Sequence, residues 1–237
     1  MTYFMKNIYV ISLGGSLVAT AEGIDWRFLK KFRSLILSEI KKGSKFVIIV
    51  GGGDTARKYQ EASGKVVKLT NDDRDWIGIH ATRLNAHLLK TIFRQYAHPR
   101  INKNPNTKAD IRKHFARGEK IMVAAGWRPG WSTDFVATIL AERLSAKTVI
   151  NLSNIDYVYD KDPKKFKGAK KKEEMSWHEF RKLVGNRWDP GLNAPFDPVA
   201  SRRAESLGLE VAIMNGKAIN NLKNYFSGKK FKGTIIK

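Results

Sequence analysis

Four loops of this 237-residue chain carry the residue types best suited to chemistry on a ligand. Each loop follows a short apolar run, and they are Gly14-Gly15-Ser16, Gly51-Gly52-Gly53, residues 126–134 (GWRPGWSTD) and residues 153–162 (SNIDYVYDKD). Glycines let backbone N–H groups approach phosphate oxygens, and a helix that begins after such a loop adds a favourable dipole. One such loop alone is more often a tight strand–helix turn, but four together predict a site where two phosphate-bearing ligands meet.

Asp134 and Asp197 are the carboxylates that we assign to the reaction centre. Phosphoryl transfer requires aligned donor and acceptor groups and positive charge around the group that moves, part of it supplied by Mg²⁺. A carboxylate there holds the metal ion or orients cationic partners. Each residue has an alternative interpretation as a helix N-cap, and Asp197 directly precedes Pro198, which suits a first helical position.

Other site chemistries are disfavoured. The chain has no cysteine, which excludes disulfides, thiolate zinc sites and a cysteine nucleophile, and its five histidines show no metal-ligand spacing. There is no P-loop motif, GxxxxGK[ST]. The run Gly51-x-Gly53-x-x-Ala56 matches the loose dinucleotide fingerprint, but the acidic residues that follow, Asp72 and Asp73, precede a helix instead of ending a strand.

Apolar strand-like runs alternate with amphipathic segments along the chain. Strands are expected over residues 7–13, 45–50, 120–125 and 148–152, and a long helix from about Asp75 to Tyr96. This alternation predicts a three-layer α/β/α sandwich with a mostly parallel sheet, in one domain over residues 1–237. A short helix is expected from Asp110 and a hairpin over residues 157–173. No apolar run has the length of a membrane span or of a signal-peptide core, so we expect a cytoplasmic protein with no membrane partner.

Six segments in register resemble the amino acid kinase family and, within it, the uridine monophosphate kinases of the archaeal-like branch. The resemblance covers nearly the whole chain. The segments are ISLGGS (11–16), GGGDTARKY (51–59), DWIGIHATRLNA (75–86), GWRPGWSTD (126–134), NLSNIDYVYDKDP (151–163) and FDPVASRRA (196–204).

This resemblance implies an ATP-dependent nucleoside monophosphate kinase that converts ATP and UMP to ADP and UDP in pyrimidine nucleotide biosynthesis. It also implies Mg²⁺ bound with ATP, for which no direct protein ligand is assigned, and a homohexamer. Two alternatives stay open: a kinase of the same fold with another acceptor, and a catalytically impaired relative that senses nucleotides or binds RNA.

The resemblance also assigns residues to each ligand. Asp134 and Asp197 would organise the transfer of the phosphoryl group. The residues implied for ATP are Gly14, Gly15, Ser16, Gly53, Arg57, Ser153, Asn154, Tyr159 and Asp162. The residues implied for UMP are Gly52, Asp75, Trp127, Arg128, Pro129, Gly130, Trp131, Ser132 and Thr133, with Asp75 on the ribose.

Two positions depart from the pattern of many family members. Where those members carry a lysine on the first and on the fourth strand, this chain has Ser12 and Asn151. The positive charge at the reaction centre would then come from Mg²⁺, Arg57 or a lysine elsewhere. Trp127 and Trp131 also make the UMP loop bulkier than in other members, and their alternative role is packing against a neighbouring subunit.

The net charge of +22, from 44 lysines and arginines against 22 acidic residues, predicts attraction to polyanions. Residues 161–172 hold seven lysines and one acid, and residues 217–237 hold six lysines and no acid. The simpler interpretation is a solvated basic surface. The alternative is non-specific association with nucleic acid, which no recognised nucleic-acid motif in the sequence supports.

Overall fold

The computed structural model describes residues 8–106, 111, 113–163, 165–185, 187 and 194–237. The helices of this part are α1 (Gly15–Val18), α2 (Trp26–Lys41), α3 (Gly53–Val66), α4 (Asn71–Ile92), α5 (Thr133–Leu144), α6 (Trp177–Val184), α7 (Pro198–Ser206) and α8 (Ile219–Phe226). The strands are β1 (Ile8–Leu13), β2 (Ala19–Thr20), β3 (Gly23–Ile24), β4 (Lys45–Val50), β5 (Ile121–Ala124), β6 (Thr148–Ser153), β7 (Val158–Tyr159), β8 (Lys171–Lys172), β9 (Glu174–Met175), β10 (Glu210–Asn215) and β11 (Thr234–Ile236).

A seven-stranded sheet with the order β5-β4-β1-β6-β10-β11-β9 separates two layers of helices. The strands from β5 to β10 in this order pair in parallel, and β11 then pairs antiparallel to β10. Two short antiparallel ribbons, β2–β3 and β7–β8, flank the sheet, and the second of them is the hairpin expected over residues 157–173. The predicted α/β/α sandwich with a mostly parallel sheet is confirmed.

Side-chain alternation along the strands divides the core into two buried clusters. On β1, Val10 belongs to the cluster that packs on α5, and Ile11 belongs to the cluster that packs on α2. On β6, Val149 and Ile150 divide in the same way. Residues two positions apart on a strand lie on the same face of the sheet. Ser12, two positions after Val10, and Asn151, two positions after Val149, therefore face α5.

The start of α4 differs from the prediction. The helix begins at Asn71 because Thr70 and Asp73 form a reciprocal capping box, so Asp75 lies in the second turn and not at the first residue. Helix α3 was not predicted at all, since Ala56 is the one buried side chain on it and its apolar pattern is weak. The helix expected from Asp110 begins outside the described residues. Within the described chain, no helix combines the length and apolarity that crossing a membrane requires.

Candidate active site

The four loops that the sequence predicts to bind ligands leave the same edge of the sheet. Strands β5, β4, β1 and β6 are neighbours and run in parallel, so their carboxyl ends meet there, where open α/β sheets bind ligands. The loops after β1 and β4 pack backbone against backbone. A Cβ atom on Gly15 would overlap the Gly53 nitrogen, and Gly53 itself has a positive φ of 61°. Both positions therefore require glycine for this close approach.

A cavity of about 680 Å³ opens between these loops and helices α3 and α4. Eleven of the residues expected to bind or react line it: Ser16, Gly52, Gly53, Arg57, Asp75, Trp131, Ser132, Thr133, Asp134, Asn154 and Asp197. The first residues of α3 and α5, Gly53 and Thr133, are among them. Two helix N-termini therefore face one space, and the helix dipole there favours anionic ligands.

Nine of the expected residues do not line this cavity. Gly14 and Gly15 serve the packing of the loops, and the Gly14 N–H donates to the Leu152 carbonyl oxygen at 2.8 Å. Tyr159 lies on β7, opposite Lys171. The remaining six are Ser153, Asp162, Trp127, Arg128, Pro129 and Gly130.

Ser12, Asn151 and Asp197, which are buried, and Asp134, which is half-buried at the cavity wall, form a cluster that we call the carboxylate centre. Asp134 Oδ1 accepts a hydrogen bond from the Ser12 hydroxyl at 2.7 Å and one from the Asn151 amide at 3.3 Å. Its other oxygen accepts the Asp197 backbone N–H at 3.2 Å. Ser12 and Asn151 are direct partners in the pairing of β1 with β6, which explains how both reach one carboxylate oxygen. The two positions that depart from the family pattern are therefore the residues that hold Asp134.

The helix-cap interpretation is wrong for Asp134 and confirmed for Asp197. Ser132 caps α5 by accepting the Phe135 N–H, so Asp134 lies inside the first turn of the helix with its carboxylate free for the centre. Asp197 caps α7, where its Oδ1 accepts the Ala200 N–H, and Pro198 is the first helical residue. Asp197 Oδ2 is buried and has no hydrogen-bond partner among the described residues.

Electrostatics set the two carboxylates apart from ordinary surface acids. Burial raises the pKa of Asp134 to about 7; the hydrogen bond from Ser12 opposes the rise, and the charge of Asp197 adds to it. Burial likewise raises the pKa of Asp197, against backbone hydrogen bonds that lower it. Two acids lie together here, and no lysine or arginine of the described chain contacts Asp134, so this centre suits a positively charged ligand group or metal ion.

The 126–134 loop is held by α4 at three points. The Gly126 N–H donates to Thr82 Oγ1 at 2.8 Å, Arg83 donates to the Trp127 carbonyl oxygen at 3.3 Å, and the Gly130 N–H donates to Asp75 Oδ2 at 2.6 Å. Asp75 therefore anchors the loop through one carboxylate oxygen, a role that the sequence did not indicate. Its second oxygen has no hydrogen bond to the described residues and remains available to a ligand.

Aromatic rings stiffen the same loop from inside. The Trp131 ring lies 4.0 Å from the Phe135 ring and 5.8 Å from the Trp127 ring, measured between centroids. The Arg128 guanidinium lies 4.2 Å above the Trp127 ring. Both tryptophans pack against the α5 side of the core, so their bulk has a role within this chain.

Two arginines supply the cationic lining of the cavity in the described part of the chain, Arg57 on α3 and Arg74 on α4. Asp54 accepts from Arg57 Nε at 3.1 Å, which leaves the two terminal nitrogens of the guanidinium free of hydrogen bonds to the described residues. Gln60 donates to the Arg74 carbonyl oxygen at 2.8 Å and joins the two helices. The sequence analysis did not identify Gln60 and Arg74, because Gln60 belongs to the unpredicted helix α3 and Arg74 to the unpredicted first turn of α4.

Asn85 is a further residue that the sequence did not single out. Its amide donates to the carbonyl oxygens of Gly51 and Gly52 at 2.8 and 3.1 Å, and so fixes the second glycine loop from α4. The signal was present in the segment DWIGIHATRLNA, which the resemblance matched as a whole without assigning a role to this residue.

The chain is similar in sequence to a known protein family and to several of its members. The model of the amino acid kinase family matches residues 7–215. A uridylate kinase of Methanocaldococcus jannaschii is 35% identical over 228 residues, which cover 96% of this chain and 98% of the relative. A uridylate kinase of Methanoculleus marisnigri is 33% identical over 233 residues, which cover 98% and 96%.

Solved structures agree with this similarity. The uridylate kinase of Archaeoglobus fulgidus has a TM-score of 0.80 and 27% identity, and the match covers 98% of this chain and 100% of the other. The UMP kinase of Bacillus anthracis, at 20% identity and a TM-score of 0.77, shares the fold, and the match covers 97% of this chain and 95% of the other.

Proposed function

We propose that this chain, which belongs to the amino acid kinase family, transfers the γ-phosphoryl group of ATP to UMP and releases ADP and UDP. The observation that carries the proposal is the meeting of Ser16, Gly53 and the 126–134 loop around one cavity that also contains Asp134. The glycine loops after β1 and β4 and the 126–134 loop line one cavity, which brings a donor and an acceptor phosphate within reach of a single centre.

The donor side is built from the β1 and β4 loops. We assign the ATP phosphates to the backbone around Gly14, Gly15, Ser16 and Gly53, where α3 begins. The adenosine part extends towards the β6 loop and the β7–β8 ribbon, with Ser153, Asn154, Tyr159 and Asp162 as its candidate contacts. Arg57, whose terminal nitrogens are free of hydrogen bonds to the described residues, is oriented by Asp54 for a phosphate.

The acceptor side is built from α4 and the 126–134 loop. We assign the UMP phosphate to Gly52 and to the start of α5, at Ser132 and Thr133. The open carboxylate oxygen of Asp75 suits the ribose hydroxyls. The remaining loop residues that the proposal gives to UMP are Trp127, Arg128, Pro129, Gly130 and Trp131.

The carboxylate centre orients the reacting groups. Ser12 and Asn151 hold the Asp134 carboxylate in place as neutral hydrogen-bond donors. They do so without the ion pair that a lysine at either position would form with it. Mg²⁺, when bound with ATP, supplies positive charge to the phosphate oxygens of the transferred group. The orphaned oxygen of Asp197 and the carboxylate of Asp134 fit such an ion, since Mg²⁺ is commonly held by one or two carboxylates together with phosphates and water. Arg57 and Arg74, which also line the cavity, add positive charge.

A comparison of acceptors tests this function. ADP formation is measured with ATP and Mg²⁺ over UMP, CMP, dTMP, carbamate and acetylglutamate. We expect UMP to be the preferred acceptor and activity to vanish with EDTA. Clear activity with another acceptor and none with UMP would overturn the assignment, and no activity with any acceptor would indicate a relative that binds nucleotides without catalysis.

Three further properties belong to the same proposal. The resemblance supports a homohexamer that contributes to pyrimidine nucleotide biosynthesis in the cytoplasm. The chain is also proposed to act as one domain over residues 1–237. Size-exclusion chromatography with light scattering checks the assembly directly.

A further inference from the structure

Two lysine-rich segments meet at the β9–β11 edge of the sheet. Lys171 Nζ lies 3.3 Å and Lys230 Nζ lies 3.7 Å from the same carboxylate, that of Glu173. Thr234 on β11 joins the segments further, because its hydroxyl donates to the Lys172 carbonyl oxygen and accepts the Val158 N–H. We call the exposed lysines of residues 161–171 and 229–232 that the structure describes the lysine face: Lys161, Lys165, Lys167, Lys170, Lys171, Lys229, Lys230 and Lys232.

Most of the charge on the lysine face is not neutralised within the described chain. Lys171 and Lys230 share one acid, Glu173. The other six ammonium groups have no carboxylate of a described residue within 4.0 Å. Clustered like charges repel one another, and a polyanion that bridges them relieves that repulsion while releasing its own counterions.

Aromatic rings lie among these lysines. Phe166 is 51% exposed at the tip of the loop, and Lys161 Nζ lies 5.5 Å from the centre of its ring. Lys171 Nζ lies 4.7 Å from the centre of the Tyr157 ring. An exposed phenylalanine surrounded by lysines is costly in water, but it is the combination by which proteins hold unpaired bases, with cations on the phosphates and a ring under the base.

We propose that the lysine face binds single-stranded nucleic acid, with lysines on the phosphates and a base stacked on Phe166. The inference does not depend on the kinase reaction. A single strand is favoured over a duplex because only an unpaired base offers its flat face to the ring. Binding is expected to be largely independent of sequence, since the contacts are ammonium groups and one ring, which do not read base edges.

The test measures binding of a labelled mixed-sequence RNA of about 20 nucleotides by fluorescence anisotropy, from about 50 to about 300 mM KCl. The test variant combines Lys165→Gln, Lys167→Gln, Lys229→Gln and Lys232→Gln. Its matched control combines Lys30→Gln, Lys31→Gln, Lys68→Gln and Lys103→Gln, which are also exposed and lie outside the two segments. At about 0.7 counterions per phosphate contact, we expect the test variant to lower the slope of log K against log salt by up to about 3, and the control to change it much less.

Phe166→Ala separates stacking from charge. We expect it to weaken binding of the single strand about tenfold and to leave binding of the corresponding duplex unchanged. Equal losses in the test and control variants would overturn the proposal, since they would reflect total charge alone. So would duplex binding as tight as single-strand binding, or binding to phosphatidylserine vesicles without binding to RNA. Turnover of UMP and the melting temperature are measured for every variant, and a variant that loses either is replaced by its single substitutions.

Discussion

In the described chain, no lysine or arginine contacts Asp134, whereas the lysine face holds eight exposed lysines, of which Lys171 and Lys230 share one glutamate, Glu173. At the carboxylate centre, two acids are enclosed with neutral hydrogen-bond donors. Exposed ammonium groups are hydrated and salt screens their repulsion beyond about 10 Å, so clustering them costs less than burying a charge. Buried carboxylates without a cation are costly, and such a cost is retained only where the surrounding structure enforces it.

The contrast shows that the net charge of +22 carries no information about the reaction centre. No lysine or arginine of the described chain contacts Asp134, and we propose that positive charge arrives with the substrates, as Mg²⁺ on ATP, or comes from Arg57 and Arg74, which also line the cavity. The lysine face, in turn, has positive charge that no described carboxylate neutralises. It has no buried group among its described residues to hold a small ligand. The predictions below test whether the carboxylate centre and the lysine face have separate functions, beginning with the substitution of largest expected effect.

Asp134→Asn removes the charge of the centre and keeps its shape. The amide oxygen can still accept from Ser12, so we expect the fold to persist and the melting temperature to stay equal or rise as a buried charge is lost. We expect kcat to fall by about 100-fold and both KM values to change little, because the charge acts on the group in transfer. Steady-state kinetics and thermal unfolding decide; near-normal kcat with a lower melting temperature would show a purely structural carboxylate.

Asp75→Ala removes the loop anchor and the proposed ribose contact together. A hydrogen bond to a charged group contributes about 1.5–3 kcal/mol, so we expect the KM for UMP to rise about 10- to 100-fold and the KM for ATP to stay nearly unchanged. The preference for UMP over dUMP should also narrow.

Asp75→Asn is the matched control, since its oxygen can still accept the Gly130 N–H. If the asparagine variant restores the KM for UMP but not the preference over dUMP, the loop anchor and the ribose contact are separate functions of one side chain. An unchanged KM for UMP in the alanine variant would place the acceptor elsewhere.

The sequence was sufficient for the layer order and for the loops at the sheet edge, because both follow from apolar strand runs that end in glycines. It was insufficient for the contacts between loops and helices. Asp75 looked like the first residue of a helix, and the capping box of Thr70 and Asp73 moves that start by a full turn. The contact of Asp75 with Gly130, 55 residues away, depends on tertiary packing that no local pattern records.

Ser12 and Asn151 illustrate the same limit. The sequence shows only that these two residues stand where many family members have lysine. The pairing of β1 with β6 shows that both residues donate to one oxygen of Asp134. Serine and asparagine in place of the two lysines therefore do more than remove positive charge, because they form a different hydrogen-bond network around Asp134.

Ser12→Ala tests that network with a smaller expected effect. Loss of the 2.7 Å hydrogen bond should lower kcat by about tenfold and leave both KM values within about twofold. The matched control is Ser38→Ala, whose hydroxyl bonds a helix carbonyl oxygen on α2, outside the cavity lining. If both serine variants lose the same activity, Ser12 contributes to general stability and does not position Asp134.

The smallest effect on turnover is expected from neutralising the lysines of residues 161–172. Replacing all seven lysines of residues 161–172 by glutamine changes the net charge from +22 to +15, but none of those described lines the cavity. Because exposed charges are screened beyond about 10 Å, we expect kcat and the KM for UMP to stay within about twofold. The KM for ATP should rise modestly, since the loop lies beside Tyr159 and Asp162, which we assign to the adenosine side. If kcat instead falls by more than about tenfold with an unchanged melting temperature, one of these lysines reaches the carboxylate centre when substrates bind. The missing cation would then come from the loop, and the lysine face and the carboxylate centre would be parts of one catalytic device.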